Sequence, residues 1–416
     1  MEKKAKVAIA KRPHVPGAPD YYGPKELAVV REMLEEVLGN LGGLGACLPK
    51  KSGTVVVKPN AGFASLPGVH TTDPRVLEAL IGLVFEEICP ARVIVLESAA
   101  DHHMLHDTGL GKTSRECFEA NGILKAAERA GAEVLSLDGE PFERVPITKG
   151  FHYQSVLLPK ALLEADACIY VPKMKTHAAT FVTLGIKLAQ GLLPPSEQGR
   201  FHRADLAQKL VDILHAIRPS LTVVDGIWAE QGRGPTSPFE DDIIKDMNAL
   251  IAGTDVVAVD TVAGYFMGFD PHEVETTFLA HTQGHGSGVL EGIEVIGGEL
   301  EVLKRPFRRA DRRMAGFYPN VRFYLGGACE GCLSHLRLYL DPLLASGVLS
   351  EMEGPVNVLV GYKLELPERL EGPSLVVGDC TAEHKHLGLF IEGCCPLGKI
   401  FKGLLEVIAQ RMPDQT

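Results

Sequence analysis

Five of the chain's nine cysteines stand in its last quarter, and their neighbours share a pattern. Cys329 and Cys332 form a Cys-x-x-Cys pair within Gly326-Gly327-Ala328-Cys329-Glu330-Gly331-Cys332. Cys380 closes Val376-Val377-Gly378-Asp379-Cys380, and the last two thiols lie in Glu392-Gly393-Cys394-Cys395-Pro396. Glycine precedes or separates the thiols at each step. It lets backbone approach a bulky inorganic group, and its amides can donate to ligated sulfur. A Cys-x-x-Cys pair plus two further cysteines satisfies the four-thiolate ligation of an iron–sulfur cluster, [4Fe-4S] being the expected type. The expected ligands are Cys329, Cys332, Cys380 and Cys394. Cys394 is preferred because Gly393 precedes it, and Cys395 can substitute. Three alternatives stay open. Structural zinc commonly uses two Cys-x-x-Cys pairs, and only one is present. A redox dithiol would leave three thiols idle, and inert buried thiols fit poorly with glycine-rich loops. An odd cysteine count in a chain read as cytosolic does not suggest a disulfide framework.

A second set of reactive residues lies upstream. Lys58 and Asn60 follow one apolar run, and His70 stands a few residues further on. Lys173, Lys175 and His177 follow another run, while Lys187 sits in a helical stretch at 183–190. His202 comes after Pro194-Pro195, and Asp225 closes a third run. Lysines on strand-end loops of an acidic chain point to an anionic ligand, a carboxylate or phosphate. Imidazoles there can move protons near neutral pH. The expected catalytic residues are Lys175, His177, Lys187 and His202; the expected substrate-binding residues are Lys58, Asn60, His70, Lys173 and Asp225. His102 and His106, flanked by Asp101 and Asp107, would share a helical face suited to a metal, but an exposed loop or lid is the preferred reading. The run Gly109-Leu110-Gly111-Lys112-Thr113 lacks phosphate-loop spacing, and no complete Gly-x-Gly-x-x-Gly follows a strand.

These residues need a scaffold, and the apolar pattern predicts one. Strands are expected at 7–10, 54–58, 92–97, 133–137, 166–171, 221–225 and 249–251. Amphipathic helices are expected at 25–38, 74–88, 115–130 and 205–217. Several strands are continuous Val/Ile runs, as in strands buried on both faces. The alternation argues for an α/β fold: a doubly wound, mainly parallel sheet with its site beyond the carboxyl ends of the strands. The alternation restarts on a smaller scale after 300–320, with strands at 321–325, 356–362 and 375–377 and helices at 333–344 and 400–412. Two units follow: an α/β domain at 1–300 with the Lys/His cleft, and a smaller cysteine-rich α/β domain at 301–416. If the tail strands are parallel, all three cysteine groups emerge on one sheet edge. The basic stretch 304–313 is read as a solvated connector.

Composition bounds the partners. The 416 residues are 45% hydrophobic and 23% charged, with 42 basic against 53 acidic residues and a net charge of −11. An acidic chain with one Trp and no long basic face is a poor general nucleic-acid binder. It has no run of about 18 uncharged apolar residues and no apolar signal core after Met1, so a cytoplasmic protein without a membrane partner is expected.

The motifs Val-Lys-Pro-Asn (57–60), His-Thr-Thr-Asp-Pro (70–74), Val-Pro-Lys-Met-Lys-Thr-His (171–177), Thr-Leu-Gly-Ile-Lys (183–187), His202 and Val-Val-Asp-Gly (223–226) occur in the order of the "domain of unknown function 362" family. The chain resembles that family over roughly residues 50 to 290. The resemblance implies a fold and an iron–sulfur cofactor, not a reaction. The chain departs from the family pattern in Gly-Cys-Cys-Pro, and in Leu188-Ala189-Gln190 where an Asn usually follows the lysine. A two-cluster ferredoxin run is absent. A looser likeness, a strand-end His with a following Lys and a later His, is to lactate racemase and its relatives.

The combined expectation is an iron–sulfur oxidoreductase or electron-transfer enzyme acting on a small anionic substrate. An electron-donor protein and a homodimer are compatible with it. The alternatives are a cluster- or metal-dependent lyase, dehydratase or isomerase of a small acid, and a non-catalytic redox sensor.

Overall fold

The computed structural model describes residues 4–20, 22–49, 53–99, 111–202 and 204–413. The histidine motif at 101–107 lies outside the described residues. The large sheet is built from β1 (Ala5–Lys11), β2 (Thr54–Pro59), β3 (Arg92–Glu97), β4 (Glu133–Ser136), β5 (Ala167–Val171), β6 (Lys173–His177), β7 (Leu221–Glu230), β8 (Ala249–Gly253) and β9 (Ile293–Ile296). Its main path runs β9-β1-β8-β7-β5-β2-β3-β4. Neighbours on this path are parallel, except that β8 runs against both β1 and β7.

Unbroken Val/Ile runs make strands that need cover on both sides. Val55 and Val57 of β2 pack into one helical layer and Val56 into the other, all fully buried. The first layer holds α1 (Pro24–Asn40) and α2 (Pro74–Glu87); the second holds α3 (Leu184–Leu188), α4 (Leu206–Leu214) and α5 (Val256–Phe266). The chain is therefore α/β, with a doubly wound, mainly parallel sheet. α2 starts where the sequence says it should. The Asp73 side chain accepts from the Arg75 amide at 2.9 Å, and Pro74 takes the first helical position, where no amide is needed.

Strands at Ile293–Ile296 and Leu389–Ile391 were not expected, and three other segments differ from expectation. The stretch after β5, read as a loop, is β6, which pairs in parallel with β7. Residues 115–130, read as one helix, form two, Ser114–Ala120 and Ile123–Arg129. Gly122 at φ 78° breaks the run there. The basic connector at 304–313 is pinned to its surroundings rather than simply solvated: Arg305 pairs with Asp246 at 2.7 Å, Arg308 with Asp242 at 2.7 Å, and Arg309 with Glu273 at 2.8 Å.

A second sheet holds β10 (Val321–Gly326), β11 (Val356–Gly361), β12 (Ser374–Val377) and β13 (Leu389–Ile391), all parallel and in sequential order. α6 (Glu330–Ala345) and α7 (Gly398–Ala409) pack on it through Leu336, Leu340, Leu404 and Val407. No helix among the described residues is long and apolar enough to cross a membrane.

The two parts meet at Arg233. Its guanidinium donates to Asp341 at 2.9 Å and to the Tyr318 hydroxyl, and it lies 4.0 Å from the Phe317 ring centroid. Charged hydrogen bonds of this kind contribute about 1.5–3 kcal/mol. Arg233→Ala is therefore expected to lower the melting midpoint and split calorimetric unfolding into two transitions. A single transition at the wild-type midpoint would refute the clamp.

Candidate functional site

The ends of β2, β3 and β6 open into one cleft, and α3 and α6 form its walls. Lys58, Asn60, Lys175, His177, Lys187 and His202 all line it. His70, Lys173 and Asp225 do not. His70 borders a neighbouring apolar groove and holds Glu230 at 2.9 Å. Lys173 and Asp225 are fully buried and paired at 2.9 Å. The Asp225 carboxylate also accepts from the Asp73 and Ile227 amides at 2.7 and 3.0 Å. Expected as substrate ligands, these two residues instead form an internal strut, because β6 is a strand pressed against β7 and Lys173 faces Asp225 there rather than the cleft.

Lys58 is also fully buried, against Glu97 at 2.8 Å, on the cleft floor. Gly191 passes so close that a Cβ there would lie 2.6 Å from the Glu97 oxygen and 2.8 Å from Lys58 Nζ. Only glycine fits. Lys175 donates to the backbone oxygens of His70 and Pro235 at 2.6 and 3.0 Å. Burial lowers its pKa to about 8. Lys187 rides on α3, whose first amides, those of Gly185 and Ile186, donate to the buried Asp260 carboxylate at 2.7 and 2.8 Å. Phe181 and Leu184, next to it, hold φ values of 65° and 48°, costly for side chains of this size and typical of functional segments.

The two imidazoles are set in complementary forms. The Ala179 amide donates to His177 Nδ1 at 3.0 Å, which leaves the ring proton on Nε2. His202 Nδ1 faces the Gln198 carbonyl at 3.1 Å and so carries its proton there, leaving Nε2 as an acceptor. Burial, reinforced by the Lys187 charge, keeps both well below the ordinary imidazole pKa, so both are neutral at neutral pH. The Gln190 amide nitrogen stands 3.0 Å from the His202 ring nitrogens, and its oxygen accepts from Lys187. Thr183, also on the wall, has a buried hydroxyl with no partner among the described residues.

The cysteines lie at the carboxyl edge of the second sheet, gathered as the parallel order requires. Cys329 caps α6 and Cys332 occupies its first turn. The amides of Gly331 and Cys332 act on the Cys329 sulfur, and the Gly361 amide on Cys380. A Cβ on Gly378, at φ 89°, would lie 3.5 Å from the Cys380 sulfur and 4.0 Å from the Cys332 sulfur. The missing side chain thus leaves a space bounded by two thiols. Of the adjacent pair, Cys395 is buried with its sulfur 3.7 Å from Cys332, whereas Cys394 is exposed and its charge acts on Cys380. Among the described residues no group of three or more His, Cys, Asp or Glu is arranged to hold a metal ion.

α6 connects the two features. Beyond Cys332, its Ser334, His335 and Leu338 line the cleft. His335 Nδ1 faces the Gly331 carbonyl at 2.6 Å and the Cys395 sulfur at 3.8 Å, and its ring meets that of His202 edge-on at 5.5 Å. Sequence reasoning missed His335, although it stands one helical turn past Cys332, where a Cys-x-x-Cys-x-x-His spacing places it on the same side. Glu97 and Gln190 were missed as site residues too. Glu97 had a signal: a carboxylate directly after the apolar run Val93–Leu96.

This α/β scaffold, with its cleft at the strand ends, is matched by a family model. Residues 55–264 match the model described as domain of unknown function (DUF362), and the chain belongs to that family. A curated relative is the thylakoid-associated protein sll1697 of Synechocystis sp., 28% identical over 257 residues, which are 60% of this chain and 72% of the relative. Among solved structures, the lactate racemase apoprotein from Thermoanaerobacterium thermosaccharolyticum aligns with a TM-score of 0.39 and 12% identity, over 87% of this chain and 70% of that one. A likeness at that level says nothing about chemistry.

Proposed function

We propose that the chain is an iron–sulfur oxidoreductase whose substrate is a small anion held in the Lys/His cleft. One observation carries the reading: α6 begins among the cysteine sulfurs and, within its next turns, forms a wall of the cleft. The donor types suit the cofactor, although their present positions do not converge on a common metal point. Cys329, Cys332, Cys380 and one of Cys394 and Cys395 would supply four thiolates, the gap beside Gly378 gives room, and backbone amides offset their charge. When bound, such a cluster supplies electrons at a potential set by these hydrogen bonds and by solvent exposure. Cys380 and Cys394 are exposed, which leaves that side open to an electron-donor protein.

The other roles belong to the cleft. The Lys175 ammonium holds the substrate's carboxylate or phosphate, and the Thr183 hydroxyl is free to bond a polar group of it. His202 Nε2 accepts a proton, while His177 Nε2–H donates one. Anaerobic purification with iron, sulfide and ultraviolet–visible analysis tests the cofactor. Brown protein with stoichiometric iron and sulfide is the expected result, and zinc without iron overturns it.

The anion site makes a separate prediction. Lys175 binds an anion only while protonated, so affinity should hold below pH 8 and weaken as the pH rises through that value. Lys175→Met should lose about 1.5–3 kcal/mol of binding, roughly 10- to 100-fold, with iron content unchanged. Titration calorimetry with a panel of small carboxylates and phosphates reads both effects. Equal affinity in the variant would remove Lys175 from the site.

A further inference from the structure

Lys187, like Lys175 and unlike Lys58 and Lys173, has no acid for a partner among the described residues. Lys58 holds Glu97 and Lys173 holds Asp225, but the Lys187 amine reaches only the side-chain oxygen of Gln190, with no carboxylate within ion-pair distance among the described residues. The groups that face it are Lys58 and Glu97 on the cleft floor, Lys175 on β6, and the neutral rings of His177, His202 and His335. Burial first, and then the charges of Lys175 and Lys58, push its pKa down to about 7. A desolvated lysine beside other cations is an amine nucleophile at neutral pH.

We propose that Lys187 forms an imine with the carbonyl group of a small anionic ligand, a 2-oxo acid or an aldehyde acid, bound in the cleft. The amine nitrogen attacks the carbonyl carbon, and the carbonyl oxygen takes up a proton to give a carbinolamine. Loss of water then forms the C=N bond. Both hydrogens of the neutral amine leave with that oxygen, so the step needs neither oxidant nor reductant. The parts are placed for it. The two amides held by Asp260 fix α3 and so the amine. Lys175 supplies the charge for the ligand's carboxylate, and the Nε2–H of His177 can hydrogen-bond the oxygen while the amine's own two protons move to it. The inference rests on the cleft being the ligand site, as proposed above, but not on the iron.

The test uses the full chain with glyoxylate or pyruvate as the probe, followed by borohydride. Borohydride delivers hydride to an imine carbon and leaves a stable secondary amine, located by peptide mass mapping. Modification at Lys187 is expected to exceed that at exposed Lys363 and Lys399 by about tenfold or more at pH 7. The Lys187 rate should rise as the pH passes about 7 and then level off. Lys187→Arg should take no cleft adduct while keeping its iron content and melting midpoint. The comparison within the wild-type chain stands even if that variant fails to fold. Adducts spread evenly over surface lysines, or none above background, overturn the imine. Iron content and anion binding, measured on the same sample, show whether the cluster and the cleft survive that failure.

Discussion

Cys380→Ser is expected to lose most of its iron and the visible absorbance that goes with it, while the large sheet and its helices keep their fold. A serine oxygen is a poor substitute for thiolate, and Cys380 sits across the Gly378 gap from Cys332. Cys329→Ser and Cys332→Ser should behave alike. The adjacent pair should split: of Cys394→Ser and Cys395→Ser, one strips the iron and the other retains it. Cys395 lies against Cys332 and His335, and Cys394 acts on Cys380, so the outcome also tells which side the fourth ligand comes from. Iron and sulfide content per chain, measured anaerobically, decides it. Unchanged iron in Cys380→Ser would end the ligand assignment.

The second large effect concerns stability. Asp225→Ala leaves the fully buried Lys173 ammonium without its partner and orphans the Asp73 and Ile227 amides. Removing one member of a buried pair costs about 3–5 kcal/mol. A fall of that size in urea-unfolding free energy is expected, with the α2 start weakened because Asp73 is its cap. Lys173→Met/Asp225→Leu should recover only part of the loss, since two backbone amides still lack an acceptor. If Asp225→Ala instead unfolds like wild type but binds anions poorly, the residue belongs to the ligand site after all. The double variant separates charge burial from amide satisfaction.

How far the sequence could be read depended on which forces act locally. Val55–Val57 and the Asp73-Pro74 start of α2 were legible because apolar periodicity and capping are properties of neighbouring residues. β6 was not. Pro172 and two lysines read as a loop, yet Lys173 and Lys175 alternate with Met174, which lies in the apolar core. That period of two was the available signal, and it was outweighed by charge that only β7 could neutralise. The same limit applied at the site. The types Lys, His and Cys at strand ends were visible, but Lys173 and Lys175, two residues apart, have opposite fates. One meets an aspartate on β7; the other meets backbone oxygens at the cleft.

By itself the sequence determined the α/β class, the two sheets and the sets of thiols and amines, since strand burial, helix amphipathicity and residue type are written locally. Only the tertiary structure decided that α6 carries His335 from the sulfurs to the cleft, that Glu97 sits beneath it, and that Lys187 stands without an acid. Those relations join residues far apart in the chain. They depend on how parallel strands are ordered and how the two sheets dock, which no local pattern encodes.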